Sequence, residues 1–115
     1  MGENWTRPAP LDMHAWQGRS SGDLAQKMGI EFHELRADYA TASMPVEGNT
    51  QSYDILHGGA YVVLGESMGS ICANVHAREQ GLGQAVGIEI NASHTGSASS
   101  GFVWAECRAI HLGRT

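Results

Sequence analysis

Leu56-His57-Gly58-Gly59-Ala60-Tyr61-Val62-Val63-Leu64-Gly65-Glu66-Ser67-Met68-Gly69-Ser70-Ile71-Cys72-Ala73-Asn74-Val75-His76-Ala77-Arg78 is the stretch whose reading decides the fold. It is long enough for about five helical turns. Its residues are apolar or small nearly all round for most of that length, which marks a buried helix. Gly65 and Gly69 interrupt it, and each costs up to about 1 kcal/mol against alanine in a helix interior. Close approach of a neighbouring backbone is the expected compensation; two simply tolerated glycines is the plainer reading.

Outward from this helix, strands are expected on both sides. Ile30–Leu35 reads as one strand and Tyr39–Val46 as the next, with a link short enough for a hairpin. In the second, Ala40, Ala42, Met44 and Val46 alternate with Thr41, Ser43 and Pro45. That period of two predicts a strand buried on one face. After the helix, Gly81–Gly83 forms a turn, Ala85–His94 reads as a strand, Gly96–Gly101 as a loop and Phe102–Leu112 as a further strand. Ahead of the first strand, short helices are expected over Leu11–Trp16, ended by Gly18, and over Asp23–Met28, between Gly22 and Gly29. Residues 1–10, broken by Pro8 and Pro10, read as a leader to a domain over 11–115. Two strands, one buried helix and two strands make an α+β domain.

Composition narrows the function. The 115 residues suffice for one small domain. A net charge of −5 with a single lysine, Lys27, and scattered arginines argues against nucleic-acid binding. Cys72 and Cys107 are far apart, lie in apolar surroundings and form no CxxC, so they read as small buried hydrophobes in a reducing compartment. No apolar run approaches the length of a membrane span, and residues 1–10 lack the apolar core of a signal peptide. The cytoplasm is the expected location. The six histidines show no HxH or HExxH spacing, so neither a metal nor another cofactor is expected.

Glu66 is the residue to explain. A carboxylate in a buried apolar helix must be paired, hydrogen-bonded, neutralised or functional. His57-Gly58-Gly59 opens the same helix, where unpaired backbone N–H groups sit at a partly positive end. Such an end can hold a carbonyl oxygen that gains negative charge, and glycine lets a ligand approach closely. On its own, His-Gly-Gly also fits a plain helix start. Gly58 and Glu66 are separated by about 12 Å of helix. A symmetric dimer would solve this by bringing Glu66 of one subunit to Gly58 of the other. Ser70, four residues on, shares the face of Glu66, where it either orients the carboxylate or allows close packing.

These motifs resemble a known family. Leu56-His57-Gly58-Gly59 followed by Glu66-Ser67-Met68-Gly69-Ser70 is similar to the signature of hotdog-fold thioesterases of the PaaI-like group. The resemblance extends to Met44-Pro45-Val46, to Val86-Gly87-Ile88-Glu89-Ile90-Asn91-Ala92-Ser93-His94 and to His111-Leu112-Gly113-Arg114. Within the group it is nearest the branch that hydrolyses 1,4-dihydroxy-2-naphthoyl-CoA in menaquinone biosynthesis, and the related proofreading enzyme of enterobactin synthesis. The resemblance implies an antiparallel sheet wrapped around a long central helix. It implies hydrolysis of an aryl or other hydrophobic acyl-CoA, or of an acyl carrier protein, by a homodimer that pairs into a dimer of dimers. Glu66 would be nucleophile or general base, the Gly58 amide would polarise the thioester carbonyl, Gln51 and His57 would position the thioester, and Ser70 would assist Glu66. Gln51, His57 and Gly58 would come from one subunit and Glu66 and Ser70 from its partner. Arg114 is a candidate contact for CoA phosphate; a solvated charge is the plainer reading. Asn91 and His94 read as structural polar groups.

Domains of this kind continue with two more antiparallel strands after the position of Thr115, so a C-terminally truncated domain is expected, marginal alone because of its unpaired edges. Three rival functions are an enoyl-thioester hydratase, a non-catalytic acyl-CoA sensor and a structural dimerisation module. The first needs an Asp/His pair not found around this helix, the second needs no carboxylate at position 66, and the third leaves a buried Glu66 unexplained.

Overall fold

The computed structural model describes residues 6–85 and 98–113. Phe32 and Leu35 are both buried, three residues apart. A regular strand turns alternate residues to one face and cannot bury both. The strand β1 (Glu31–Leu35) solves this with a bulge against β2 (Tyr39–Pro45). Phe32 pairs with Ala42 and Glu34 with Thr41, so His33 is the extra residue. The antiparallel hairpin they form is closed by the Arg36 N–H donating to the Tyr39 carbonyl at 2.8 Å.

The other edge of β2 pairs antiparallel with β3 (Phe102–Arg108), giving the sheet order β1-β2-β3. The strand expected over Phe102–Leu112 is therefore shorter than its pattern suggested. β2 starts at Tyr39, opposite Arg108, and beyond that point the pairing continues among the described residues only through the Ala109 N–H and the Asp38 carbonyl (2.9 Å). With no strand left to pair, the chain departs. The expected strand over Ala85–His94 falls almost wholly outside the described residues.

The inner face of the sheet carries Phe32, Leu35, Ala40, Ala42 and Met44, with Val103, Ala105 and Cys107 alongside. Across it lies the long helix α3 (Gly58–Glu79), which contributes Ala60, Leu64, Met68, Cys72 and Val75. Those five recur at three- and four-residue spacing, so they form one stripe. Side chains such as Phe32 and Met68, 0% and 2% exposed, each stabilise the fold by about 1.5–3 kcal/mol.

Two expectations change here. α3 is not buried all round: Gly65, Gly69 and Ala73 are exposed on the face away from the sheet. A side-chain carbon added at Gly69 would meet nothing within 4 Å among the described residues. The close backbone approach expected to compensate Gly69 is thus not made within them. β2, conversely, is buried on both faces: Thr41 and Ser43 are only 5% and 1% exposed. The bulge turns His33 outward over Ser43, where its ring stacks on Trp104 at 5.0 Å between centroids. His33 Nδ1 lies 3.2 Å from the Ala9 carbonyl, which can only accept, so Nε2 accepts the Ser43 hydroxyl at 2.7 Å. Arg7 donates to the same hydroxyl (3.4 Å) and lies over the Phe102 ring. Residues 7–9 are thereby strapped across the outer face.

Two short helices, α1 (Met13–Gln17) and α2 (Asp23–Lys27), precede β1. Asp12 caps α1 by accepting from the Ala15 N–H, and Gly18 ends it in the left-handed conformation. Gly29 also has positive φ, and a side-chain carbon there would lie 2.8 Å from the Pro45 ring, so only glycine fits.

Candidate active site

The connection from β2 into α3 is short, polar and tightly held. Gly48 turns the chain with φ +85°. Asn49 follows, and its amide donates to the carbonyls of Met28 (2.7 Å) and Pro45 (2.8 Å), while its own carbonyl accepts the His57 N–H (2.9 Å). Within this frame the Gln51 N–H reaches the Ile55 carbonyl (2.8 Å) and the Asp54 N–H returns to the Gln51 carbonyl (3.0 Å). Asp54 has φ +61°, a conformation that aspartate tolerates better than most residues. The Leu56 N–H donates to Ala98 (2.7 Å), fixing the loop to the segment before β3. Sequence reading did not single out Asn49. An asparagine after a turn glycine was its only signal.

This frame decides what each side chain can offer. Gln51 accepts the Tyr53 N–H through Oε1, which leaves its amide nitrogen as the donor end. His57 is the N-cap of α3, in the place usually taken by serine or aspartate, and its Nδ1 accepts the Gly59 N–H at 2.8 Å. An accepting Nδ1 carries no proton, so in the neutral ring the proton is on Nε2. A side-chain carbon at position 59 would lie 3.0 Å from Nδ1, so the imidazole would have to shift to admit any larger residue. The Ala60 N–H is taken by the His57 carbonyl (2.9 Å). The Gly58 N–H has no acceptor among the described residues. Three donors therefore belong to the segment that leads into α3: the Gly58 amide, the His57 Nε2–H and the Gln51 side-chain amide.

Glu66 and Ser70 stand apart from them. Glu66 is about two turns along α3 and is half-buried, not wholly buried. The reason is rotational. At 100° per residue, position 66 falls roughly opposite Leu64 and Met68, which face the sheet. Ser70 lies one turn on from Glu66, also half-buried, and its carbonyl accepts the Asn74 amide at 2.9 Å. The structure thus groups Gln51, His57 and Gly58, and separately Glu66 with Ser70. It does not bring the two groups together in one chain. A cavity of about 580 Å³ lies between the α1–α2 connection and the C-terminal part of α3, and includes neither Gly58 nor Glu66. Arg114, Asn91 and His94 lie outside the described residues. Among the described residues no cluster of metal-ligating side chains occurs.

A long helix packed on an antiparallel sheet is also found in known proteins. The thioesterase superfamily profile matches residues 53–115. The chain belongs to that family. It is 38% identical to the 1,4-dihydroxy-2-naphthoyl-CoA hydrolase of Escherichia coli over 110 residues, which span 95% of this chain and 78% of the relative. It is 40% identical to the proofreading thioesterase EntH of Cronobacter turicensis, over 96% of this chain and 78% of that one. Among solved structures, a variant of a Pseudomonas aeruginosa thioesterase aligns with a TM-score of 0.73 at 37% identity, over 96% of this chain and 77% of that one. AziG of S. sahachiroi aligns with a TM-score of 0.77 at 25% identity, over 84% and 78%. The fold is the hotdog fold of these thioesterases, and the protein is a thioester hydrolase. Among the described residues no helix is long and apolar enough to cross a membrane.

Proposed function

We propose that the protein hydrolyses an aryl or similarly hydrophobic acyl-CoA to the free acid and CoA. The reading is carried by the Gly58 N–H, left without an acceptor among the described residues, beside a histidine whose helix cap makes it a donor. A thioester carbonyl gains negative charge as it is attacked, and pre-aimed N–H groups lower the barrier to that step. Glu66 supplies the complementary function, either attacking the carbonyl to give a mixed anhydride or taking a proton from water. Ser70 orients the carboxylate. Arg114 binds a CoA phosphate. The E. coli and Cronobacter relatives bear names of a naphthoyl-CoA hydrolase and a proofreading thioesterase, which favours an aryl acyl group, on CoA or on a carrier protein.

In this reading the active unit is a homodimer, itself paired into a dimer of dimers. About 12 Å of helix separates Gly58 from Glu66, more than one thioester group spans. Glu66 faces away from its own sheet, so the donors it works with come from a second copy.

The test is thiol release from benzoyl-CoA and a panel of aryl and aliphatic acyl-CoAs. Glu66→Gln and His57→Ala are each expected to be nearly inactive. Co-expressed in equal amounts they should recover roughly a quarter of the parent rate, because half the dimers are mixed and each of those keeps one intact site. No recovery from a folded mixed dimer would place both groups in one chain. Binding of acyl-CoA without thiol release across the panel would make the protein a sensor instead.

A further inference from the structure

Cys72 and Cys107 are 35 positions apart in the chain and play no part in the hydrolysis proposed above. The fold nevertheless brings them to face each other. Cys72 follows Leu64 and Met68 at four-residue spacing on the sheet-facing stripe of α3. Cys107 follows Val103 and Ala105 on the inward face of β3, opposite Ala40 of β2. Both thiols are free, and both line one cavity of about 230 Å³, together with Gly69, Arg108 and His111. Cys72 is 7% exposed, whereas Cys107 is half-buried.

We propose that Cys72 and Cys107 form an oxidisable dithiol that responds to hydrogen peroxide by closing a disulfide between α3 and β3. Two features set the order of events. Burial pushes the Cys72 thiol up to about 12, and the neighbouring Cys107 and Asp38 add to the rise. The thiolate, not the thiol, is the nucleophile, so Cys72 is the slower of the two. Cys107 is the more exposed thiol, so the peroxide meets it first.

The chemistry is self-contained. The Cys107 thiolate attacks one oxygen of the peroxide and the O–O bond breaks. Sulfenic acid forms at Cys107, and the leaving hydroxide takes a proton to become water. The Cys72 sulfur then attacks the Cys107 sulfur, the S–O bond breaks, and the departing hydroxide takes the proton that Cys72 releases. One disulfide and two waters result, with the peroxide as the only oxidant. The consequence is mechanical: the helix that carries Glu66 and Ser70 becomes covalently tied to the sheet.

The experiment uses the folded chain, hydrogen peroxide, an alkylating agent and intact mass measurement. The parent should lose two hydrogens and both alkylatable thiols together, remain a single chain on a non-reducing gel, and recover with dithiothreitol. Peptide mapping should place the bond between positions 72 and 107. In Cys72→Ser, Cys107 should stop at a sulfenic acid that dimedone traps. In Cys107→Ser, the remaining thiol should oxidise more slowly than the parent pair. A parent that keeps both thiols, gains oxygen at them, or joins only to other chains overturns the proposal. Faster oxidation in Cys107→Ser overturns the order of attack. Because the parent result stands alone, loss of folding in either variant leaves the proposal decided.

Discussion

The two ends of the proposed chemistry are built in opposite ways. The donor end, from Asn49 to Gly59, is a mesh of backbone and side-chain hydrogen bonds reaching back to Met28 and Pro45 and across to Ala98. The carboxylate end is a single outward face of α3, where only the rotation of the helix sets Glu66. One end is pre-organised within the chain. The other offers a half-buried charged group on a surface of small residues. Oxyanion stabilisation depends on donors that need not move during reaction, and the mesh supplies that. A carboxylate that serves a site in a second copy needs an open approach, and Gly65, Gly69 and Ala73 supply that.

This contrast can be broken from either side. Glu66→Gln keeps size and hydrogen bonding but removes the charge, and kcat should fall by about 10⁴-fold, the upper end for loss of a general base; the melting temperature should scarcely move, because the residue is not in the core. His57→Asn separates two roles of one residue. Asparagine is a good N-cap but has no group at the place of the imidazole Nε2–H. Stability should hold while kcat/KM for benzoyl-CoA falls by about 10²-fold. Equal losses of stability and activity would show that His57 acts through the cap alone.

Asn49→Ala attacks the mesh without touching a donor. The Met28 and Pro45 carbonyls lose their partner, and chemical denaturation should show a loss of about 1–3 kcal/mol. Activity should fall with it, since His57 and Gln51 lose their frame. The smallest effect concerns pH. Burial holds the Cys72 thiol neutral in the fold and raises it from the ordinary 9.0 to about 12, so the unfolded chain releases this proton first. The resulting stability is full below pH 9.0 and is lost as pH rises from there through about 12. The denaturation midpoint of the parent should therefore fall more steeply over that window than that of Cys72→Ala.

Much of this was readable from the amino-acid order. The alternation in Tyr39–Val46, the long run after Leu56 and the glycines at 18 and 29 each marked an element that the structure contains. Residues involved in long-range cover were misread. Thr41 and Ser43 look like a solvent face because nothing nearby in sequence announces that His33, Trp104 and Arg7 will lie over them. Glu66 reads as buried because an apolar run hides its own rotation, and exposed glycines count as apolar in any pattern. The bulge at His33 was signalled only by the three-residue gap between Phe32 and Leu35. At the proposed site, the Gly58 amide and the Glu66 carboxylate were visible as types and spacing. The direction in which Gln51 and His57 present their protons was not, because it depends on which backbone N–H each side chain accepts.

The strand β2 has a consequence for how this protein can drift. It holds Ala40 and Ala42 under α3 and Thr41 and Ser43 under the outer layer, so neither side has room for a longer side chain. Substitutions there trade against neighbours on three other elements at once. β1 and β3 each have a side not paired to β2, and α3 exposes Gly65, Gly69 and Ala73. A random library should therefore return a narrow band of tolerated residues across 40–44 and broad ones at the exposed positions of α3, which leaves the helix as the surface on which new specificities can be tried without first rebuilding the sheet.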